Sequence, residues 1–318
     1  MQKKSAMEMV GALCKHAFSA RRLRGARRAA RRQKFVARVR DDAQLKLYGE
    51  LLPGGFLHYG YFENPHVAPR EISLADVERA QLRYAREMLR GIGPDDGPVL
   101  DVGCGMGGLS RLLRDAGVET VALSPDRHQI AYVRATLPGV QTLEMRFEDL
   151  PASEYAGRYG VVLTAESLQY LEMEVALPLI GRVLRPGGRW VACDYFRTGD
   201  RGSEAETWES FLARLERHGF EVCSRRDITP HVLPTLAYLH LWGAEIGRPV
   251  LSFGVDKIKR KAPALHHLLK EALGTLDGRV EHHLDLVDPH RFAANYQYLL
   301  MEIRVKSGQN ALERDDGE

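Results

Sequence analysis

A glycine-rich stretch placed directly after an apolar run decides what most of this chain becomes. Val99-Leu100-Asp101-Val102-Gly103-Cys104-Gly105-Met106-Gly107-Gly108 is followed by a helix-forming segment, 109–116. Glycine takes positive φ freely and lets the main chain approach a ligand closely. The segment therefore predicts a buried strand over 99–103, a tight turn whose backbone faces a ligand, and a helix. A turn of the same shape with no ligand is the alternative. Gly103, Gly105 and Gly108 also satisfy the dinucleotide spacing G-x-G-x-x-G.

The alternation begun there continues. Strands are expected over 120–124, 140–145, 159–165, 189–194 and 220–228, with helices over 126–136, 175–184 and 206–218 between them. Arg185-Pro186-Gly187-Gly188 reads as a turn. Strands and helices in this order imply a mainly parallel sheet covered on both faces. Before it, a turn-rich stretch over 52–65 holds Leu57-His58-Tyr59-Gly60-Tyr61-Phe62. A helix over 73–90 follows, with Ser73 as N-cap and Leu74, Val77, Ala80, Leu82, Ala85, Met88 and Leu89 on or near one face. After 228 the rhythm breaks. Residues 229–291 have helical spacing and many histidines, and a strand returns only at 296–305. The expected organisation is a basic arm (1–40), a helical cap (41–97), an α/β core (98–228), a helical insert covering the substrate (229–291), and a last strand with a frayed tail (292–318).

Charge separates the arm from the body. Residues 1–40 hold 13 Lys/Arg against the single acid Glu8, whereas the rest holds 32 Lys/Arg against 41 Asp/Glu. The arm is Arg-rich but alanine-faced, so it makes a weak amphipathic helix at most. A solvated leader, a transit peptide, attraction to an anionic membrane surface and contact with nucleic acid are its readings. No apolar run is long enough to span a bilayer, and Cys14, Cys104, Cys193 and Cys223 show no paired spacing. A reduced, cytoplasmic protein is expected, with peripheral membrane contact through the arm.

Three details set the glycine loop apart from a dinucleotide turn. Asp101 stands two residues before the first glycine, Gly107 extends a G-x-G-x-G run, and companion motifs lie along the chain. In these features the chain is similar to class I S-adenosylmethionine (SAM)-dependent methyltransferases over roughly 54–304. Asp101-Val102-Gly103-Cys104-Gly105 resembles their first motif, and Leu184-Arg185-Pro186-Gly187-Gly188 resembles the turn before their fifth strand. His58-Tyr59-Gly60-Tyr61, Leu123-Ser124-Pro125 and Glu166-Ser167-Leu168 resemble the tocopherol, sterol and cyclopropane-lipid methyltransferases. The resemblance implies a Rossmann-like seven-stranded sheet with an antiparallel last strand, and SAM as cofactor. It places Tyr59, Asp101, Gly103, Cys104, Gly105, Gly107 and Ser124 at the cofactor. Asp101 would hold its amino group or order the loop. Ser124 stands where many relatives carry the acid that takes the ribose hydroxyls. Phe147, Glu148 and Asp149 are the candidates for the adenine end, a solvated loop being their other reading.

Glu166, His58, Tyr170 and His231 are the candidate catalytic residues. Glu166 follows the fourth strand, at the edge where parallel sheets meet ligands. It is a base, a stabiliser of a cationic intermediate, or a loop anchor. His58 and Tyr59 precede the sheet, in a segment that folds over the methionine end of SAM in relatives. His231, just after the sixth strand, belongs to a group with His240, His266, His267, His282, His283 and His290. Their spacing carries no metal-ligand pattern, so no metal is expected. The expected function is methyl transfer to a small lipophilic or aromatic molecule in a biosynthetic setting, with the acceptor atom (O, C or N) open. An NAD(P)-type oxidoreductase, a nucleic-acid methyltransferase and a non-catalytic SAM-binding module are the competing classes. The first would need an acid closing the second strand, and the second lacks the Asn/Asp-Pro-Pro-aromatic motif.

Overall fold

The computed structural model describes residues 54–198 and 206–306. The basic arm, the start of the cap and the tail expected at 310–318 lie outside the described residues. Seven strands, β1 Val99–Val102, β2 Thr120–Ser124, β3 Gln141–Glu144, β4 Tyr159–Ala165, β5 Leu184–Arg197, β6 Phe220–Asp227 and β7 Tyr296–Val305, form one sheet. Their order is β3-β2-β1-β4-β5-β7-β6. β1 runs parallel to β2 and β4, β2 to β3, and β4 to β5. β7 runs antiparallel to both β5 and β6. This is the mostly parallel sheet with an antiparallel last strand that the alternation and the resemblance imply.

β1 and β2 are buried at every residue, as strands covered on both faces must be. One face packs Trp190, Leu177, Ile180, Phe211 and Phe220. These come from β5, β6 and the helices α5 Met173–Val183 and α6 Trp208–Arg217, preceded in the chain by α1 Leu74–Met88, α2 Gly108–Asp115, α3 Arg127–Thr136 and α4 Ala152–Tyr155. The other face buries Tyr84 and Met88 of α1, Leu109 and Leu113 of α2, and Tyr298 of β7.

α1 starts where expected. The Asp76 amide donates to the Ser73 hydroxyl at 3.2 Å, and the Ser73 amide donates to the Asp76 carboxylate at 2.9 Å. Its inward face differs from the apolar reading, because Leu74 is exposed while Gln81 and Tyr84 are buried. The reason is the strap over residues 54–62, which lays main-chain carbonyls against this helix. Gln81 Nε2 donates to the His58 carbonyl at 2.8 Å and the Phe56 carbonyl at 3.3 Å. An aliphatic side chain there would leave buried carbonyls unpaired.

β5 is longer than the expected 189–194. Leu184 already pairs with Tyr159, and pairing resumes at Arg189 with Val161. The Arg185–Gly188 turn thus sits inside the strand as a bulge. The insert is helical but for breaks at Ala262 and at Val287 and Asp288. α7 Thr229–Trp242 runs through a π-helical turn, Gly243–Gly247, into α8 Arg248–Lys261, followed by α9 Pro263–Leu286 and α10 Pro289–Asn295. Because β7 lies between β5 and β6, the chain must leave β6 and return one strand inward, and the insert makes that connection.

Gly160 tests the sheet's central packing. A Cβ there would lie 1.9 Å from the Asp96 carbonyl oxygen. Gly160→Ala is expected to destabilise the fold by about 1–3 kcal/mol, the usual cost of overpacking, read as a lowered urea midpoint by circular dichroism.

Candidate functional site

The carboxyl ends of β1, β2 and β4 open into a cavity of about 680 Å³, within the range of small-molecule sites. Asp101 to Gly105, Leu123 to Asp126, and Ala165 to Ser167 form its floor. Gly55, Phe56, Leu57 and His58 of the strap form a wall. Phe56 can lie there because Gly108 has no side chain: a Cβ on Gly108 would sit 2.4 Å from the Phe56 ring.

The glycine loop is built for close approach. Gly103 has φ +78°, and a Cβ on it would stand 2.7 Å from Ser167 Cβ. Gly105 has φ +54°, and a Cβ on it would press on Leu57 of the strap, 3.1 Å from Cδ1. Gly107 does not line the cavity. A Cβ on it would strike Leu137 and Val133 at 2.7 and 2.9 Å, so it is bare for the packing of α3 against the start of α2. The Gly103 and Cys104 amides both donate to the Leu123 carbonyl, at 2.9 and 3.1 Å, which fixes the loop to β2. Cys104 lines the cavity, and burial holds its thiol well above the usual range.

Asp101 is buried at the cavity floor and accepts a hydrogen bond from Ser110 Oγ at 2.6 Å. Burial pushes its pKa up to about 6. Ser124 also lines the cavity; its Oγ donates to Gln129 Oε1 at 2.6 Å and accepts from the Asp126 amide at 3.1 Å. Gln129 and Asp126 face the cavity too, so the end of β2 offers three polar side chains where the sequence singled out one. Phe147 and Glu148 line the far side. Glu148 Oε1 accepts from the Glu172 amide at 2.8 Å. Asp149 is exposed and outside the cavity, because the short turn Phe147–Asp149 directs it to solvent.

Glu166 joins the cavity to the rest of the fold. It is the one non-glycine residue with positive φ among the described residues, at +53°, a conformation that side chains other than glycine rarely adopt. Its Oε1 accepts from the Tyr59 amide at 2.8 Å and from the Tyr298 hydroxyl. The Tyr298 and Tyr84 hydroxyls lie 3.3 Å apart. Burial raises Glu166 to about 7, against the opposing pull of the Tyr298 and Tyr59 hydrogen bonds. Tyr59 itself does not line the cavity; its ring meets Tyr298 and Phe292 edge-on. His58 does line it. Its Nδ1 donates to the Tyr59 carbonyl at 2.7 Å, and its ring stacks on Tyr84 at 4.1 Å. Its buried Nε2 has no hydrogen-bond partner, and burial lowers the imidazole to about 4, so it is neutral near pH 7. Tyr170 stands at the mouth, 77% exposed.

His231 is not at this site. Its Nδ1 donates to the Phe62 carbonyl at 2.7 Å and its ring stacks on Tyr61 at 4.2 Å. The first turn of α7 carries it to the far end of the strap. The insert, expected as a substrate wall, contributes no lining residue among the described residues. It holds the strap from outside instead: the Gly60 amide donates to Thr235 Oγ1 at 3.0 Å, and the Phe62 amide to the His231 carbonyl at 2.9 Å. Among the described residues no group of three His, Cys, Asp or Glu is placed to hold a metal.

The lining carries four carboxylates, Asp101, Asp126, Glu148 and Glu166, against one cation, Arg146. Arg146 is paired with Glu172 at 2.7 Å and Glu148 at 3.4 Å. Such a wall suits a ligand bearing positive charge and opposes the pyrophosphate of a dinucleotide. The glycine loop on the cavity floor, the buried Asp101 and the volume fit a cofactor of the size and charge of SAM.

Comparison with known proteins agrees with this geometry. A family described as a methyltransferase domain matches residues 99–188. A fatty-acid O-methyltransferase of Mycolicibacterium smegmatis is 31% identical over 219 residues, 66% of this chain and 71% of that protein. An O-methyltransferase of Pyrenophora dematioidea is 29% identical over 242 residues, 68% of this chain and 85% of that protein. Among solved structures, geranyl diphosphate C-methyltransferase from Streptomyces coelicolor, in complex with Mg2+, geranyl diphosphate and S-adenosyl-L-homocysteine, superposes with a TM-score of 0.56 at 17% identity. It covers 83% of this chain and 94% of that one, which is a likeness of fold.

Three carboxyls in and beside the cavity, Asp101 and Asp194 buried and Glu166 half-buried, give this region a pH signature. Burial raises Asp101 to about 6 and both Glu166 and Asp194 to about 7. Asp194 accepts from the Leu168 and Tyr195 amides, each at 2.9 Å, and so steadies the loop after Glu166. A carboxyl whose pKa is higher folded than unfolded stabilises fully below the unfolded value, and loses that share as pH rises through the folded value. His58, lowered to about 4, costs stability in the other direction, as pH falls below its unfolded value. For Asp194→Asn the loss of stability relative to the parent is expected to be larger at pH 5 than at pH 8, measured by urea unfolding at both.

Proposed function

The chain belongs to the SAM-dependent methyltransferases, and from that premise we propose that it methylates a small lipophilic or aromatic acceptor, with Glu166 receiving the acceptor's proton. The observation that carries the reading is the acid-lined cavity built on the bare glycine loop. Bound there, the cofactor supplies an electrophilic methyl on a sulfonium. Asp101, oriented by Ser110, is proposed to hold the cofactor's amino group, with Gly103, Cys104 and Gly105 as the cradle. Ser124, Gln129 and Asp126 are proposed to meet the ribose, and Phe147 with Glu148 the base.

The apolar lining, Phe56, Leu57, Leu109, Leu123 and Leu171, supports a lipophilic acceptor, as does the similarity to a fatty-acid O-methyltransferase. Glu166 lies at the cavity with a pKa near 7, close to the value at which a general base works best in neutral solution. That supports an acceptor atom that carries a proton, a hydroxyl before a carbon. His58, neutral and stacked on Tyr84, is proposed to orient the strap, and Tyr170 to contact substrate at the mouth. The strap excludes water from the reacting atoms, and alignment supplies the rest of the rate. No helix among the described residues is long and apolar enough to cross a membrane. The basic arm is proposed to add loose attraction to anionic lipid.

Calorimetry with S-adenosylhomocysteine tests the cofactor site. The parent is expected to bind, Asp101→Ala to bind at least about tenfold more weakly, and Gly105→Val not at all, since a branched side chain at positive φ strains the loop and pushes against Leu57 of the strap. Absence of binding by the parent overturns the reading.

Glu166→Gln tests the base. The amide oxygen can still accept from the Tyr59 amide, so cofactor affinity should hold. Methyl transfer from radiolabelled SAM to a panel of phenols and fatty acids should fall by roughly 10²–10⁴-fold. An unchanged rate would remove Glu166 from the chemistry.

A further inference from the structure

The continuous rod of α7, the π-helical turn and α8 exposes Leu239, Trp242, Ile246, Val250 and Phe253. Their spacings of three and four residues place them in one file along the rod. The π-helical turn Gly243–Gly247 lies between Trp242 and Val250, and the four-residue steps across it keep the file on one side. Val250 is 64% exposed, Phe253 60% and Trp242 49%. Singly, exposed apolar residues mean little; a contiguous file of large ones marks a contact surface.

The same file continues into charge. Lys257, Arg260 and Lys261 follow Phe253 at helical spacing, with Lys259 beside them, and all four are exposed. Lys257 lies over the Phe253 ring at 5.8 Å. None of the four has an ion pair among the described residues, whereas Arg248 of the same helix pairs with Glu281 at 3.0 Å and Arg70 pairs with Glu245. A basic end left open on an otherwise acidic body calls for an anionic partner. A single file of five side chains is also narrower than the roughly 800 Å² per partner of a stable dimer. An apolar file with a tryptophan, ending in unpaired lysines and arginine, matches the interface of an anionic bilayer.

We propose that α7–α8 docks on an anionic membrane surface, Trp242, Ile246, Val250 and Phe253 entering the headgroup boundary and Lys257, Lys259, Arg260 and Lys261 meeting lipid phosphates. The proposal is independent of the methyltransferase reading, and it differs from attraction through the arm in its residues and in its apolar component.

The chain contains three tryptophans, of which Trp190 and Trp208 are buried and Trp242 is exposed, so its fluorescence reports on this surface. The full chain is mixed with vesicles of phosphatidylglycerol and phosphatidylcholine, or of phosphatidylcholine alone, at low and high salt. The expected result is a blue shift of emission and co-sedimentation with the anionic vesicles only, both reduced by salt. Trp242→Phe should lose the shift while still sedimenting. Val250→Asp with Phe253→Asp should weaken binding roughly tenfold or more, as should Lys257→Gln with Arg260→Gln and Lys261→Gln. Both sets are exposed, so the urea midpoint should not move, and a binding loss without a midpoint change supports the proposal. Binding by the aspartate variant equal to the parent's assigns the membrane contact to the arm and overturns it. A blue shift that grows with protein concentration without lipid, and vanishes in the aspartate variant, assigns the file to a second copy and overturns it equally.

Discussion

The Glu166 carboxylate ties together three parts of the chain that lie far apart in sequence. It stands at the end of β4, takes the amide of Tyr59 in the strap, and takes the hydroxyl of Tyr298 in β7. Without that tie the strap would keep its hydrogen bonds to Gln81, Thr235 and His231 and the packing of Phe56 and Leu57 on the glycine loop, but it would lose its hydrogen bond to the carboxyl end of β4. Glu166 holds a left-handed backbone to make the contact, and such strain persists only where surrounding structure over-determines it. Here the surroundings are specific: the Glu166 amide is fixed to the Cys193 carbonyl at 2.8 Å, and the next residue, Ser167, donates to the Val102 carbonyl at 2.8 Å. The turn after β4 is thereby locked against the turn after β1, and Gly103 must be bare to admit it.

The same contacts decide how the site uses charge. A carboxylate in an apolar pocket resists ionisation, and its hydrogen bonds recover only part of the lost hydration. Glu166 and Asp101 are both raised by burial, yet each keeps donors that favour the ionised form. Each is therefore poised to respond to a cation placed in the cavity: positive charge on the ligand would favour ionisation and tighten both sets of hydrogen bonds. That coupling distinguishes this cavity from a dinucleotide site, where helix N-termini and glycine amides face anionic phosphates.

The sheet, its order of elements and the glycine loop were legible because each follows from a local pattern. Apolar runs of four to seven residues gave β1, β2 and β4, and Ser73 announced α1. The ten candidates that do line the cavity sit mostly at strand ends, where topology alone puts ligands. The residues that escaped notice share a different character. Gln81 reads as a polar defect on a helix face until the strap's carbonyls are seen above it. Tyr298 looks like one of several tyrosines in the last strand, and its partner lies 132 positions away. Gly107 departs because α3 packs on it, and the departures at His231, Tyr59 and Asp149 share a different cause. A residue's place in sequence near a motif does not fix which way a turn aims it; for His231 the stacking on Tyr61 decided the matter.

The strap is held chiefly through main-chain groups: the Tyr59, Gly60 and Phe62 amides and the Phe56 and His58 carbonyls. Such bonds fix the position of a segment without fixing its side chains. Leu57, which faces the bare side of Gly105, can therefore be changed without loosening the strap, whereas the residues that receive those bonds, Gln81, Glu166 and Thr235, cannot. This divides the labour between the sheet and its cover. The sheet edge carries the glycine loop and the carboxylates Asp101 and Glu166 on the cavity floor. The strap carries the apolar wall, in which Phe56 is held by the slot that bare Gly108 leaves and Leu57 takes no part in the hydrogen bonds that hold the segment. The insert, which contributes no lining residue among the described residues, holds the strap from behind through Thr235 and His231 and leaves the opposite side of α7 and α8 exposed.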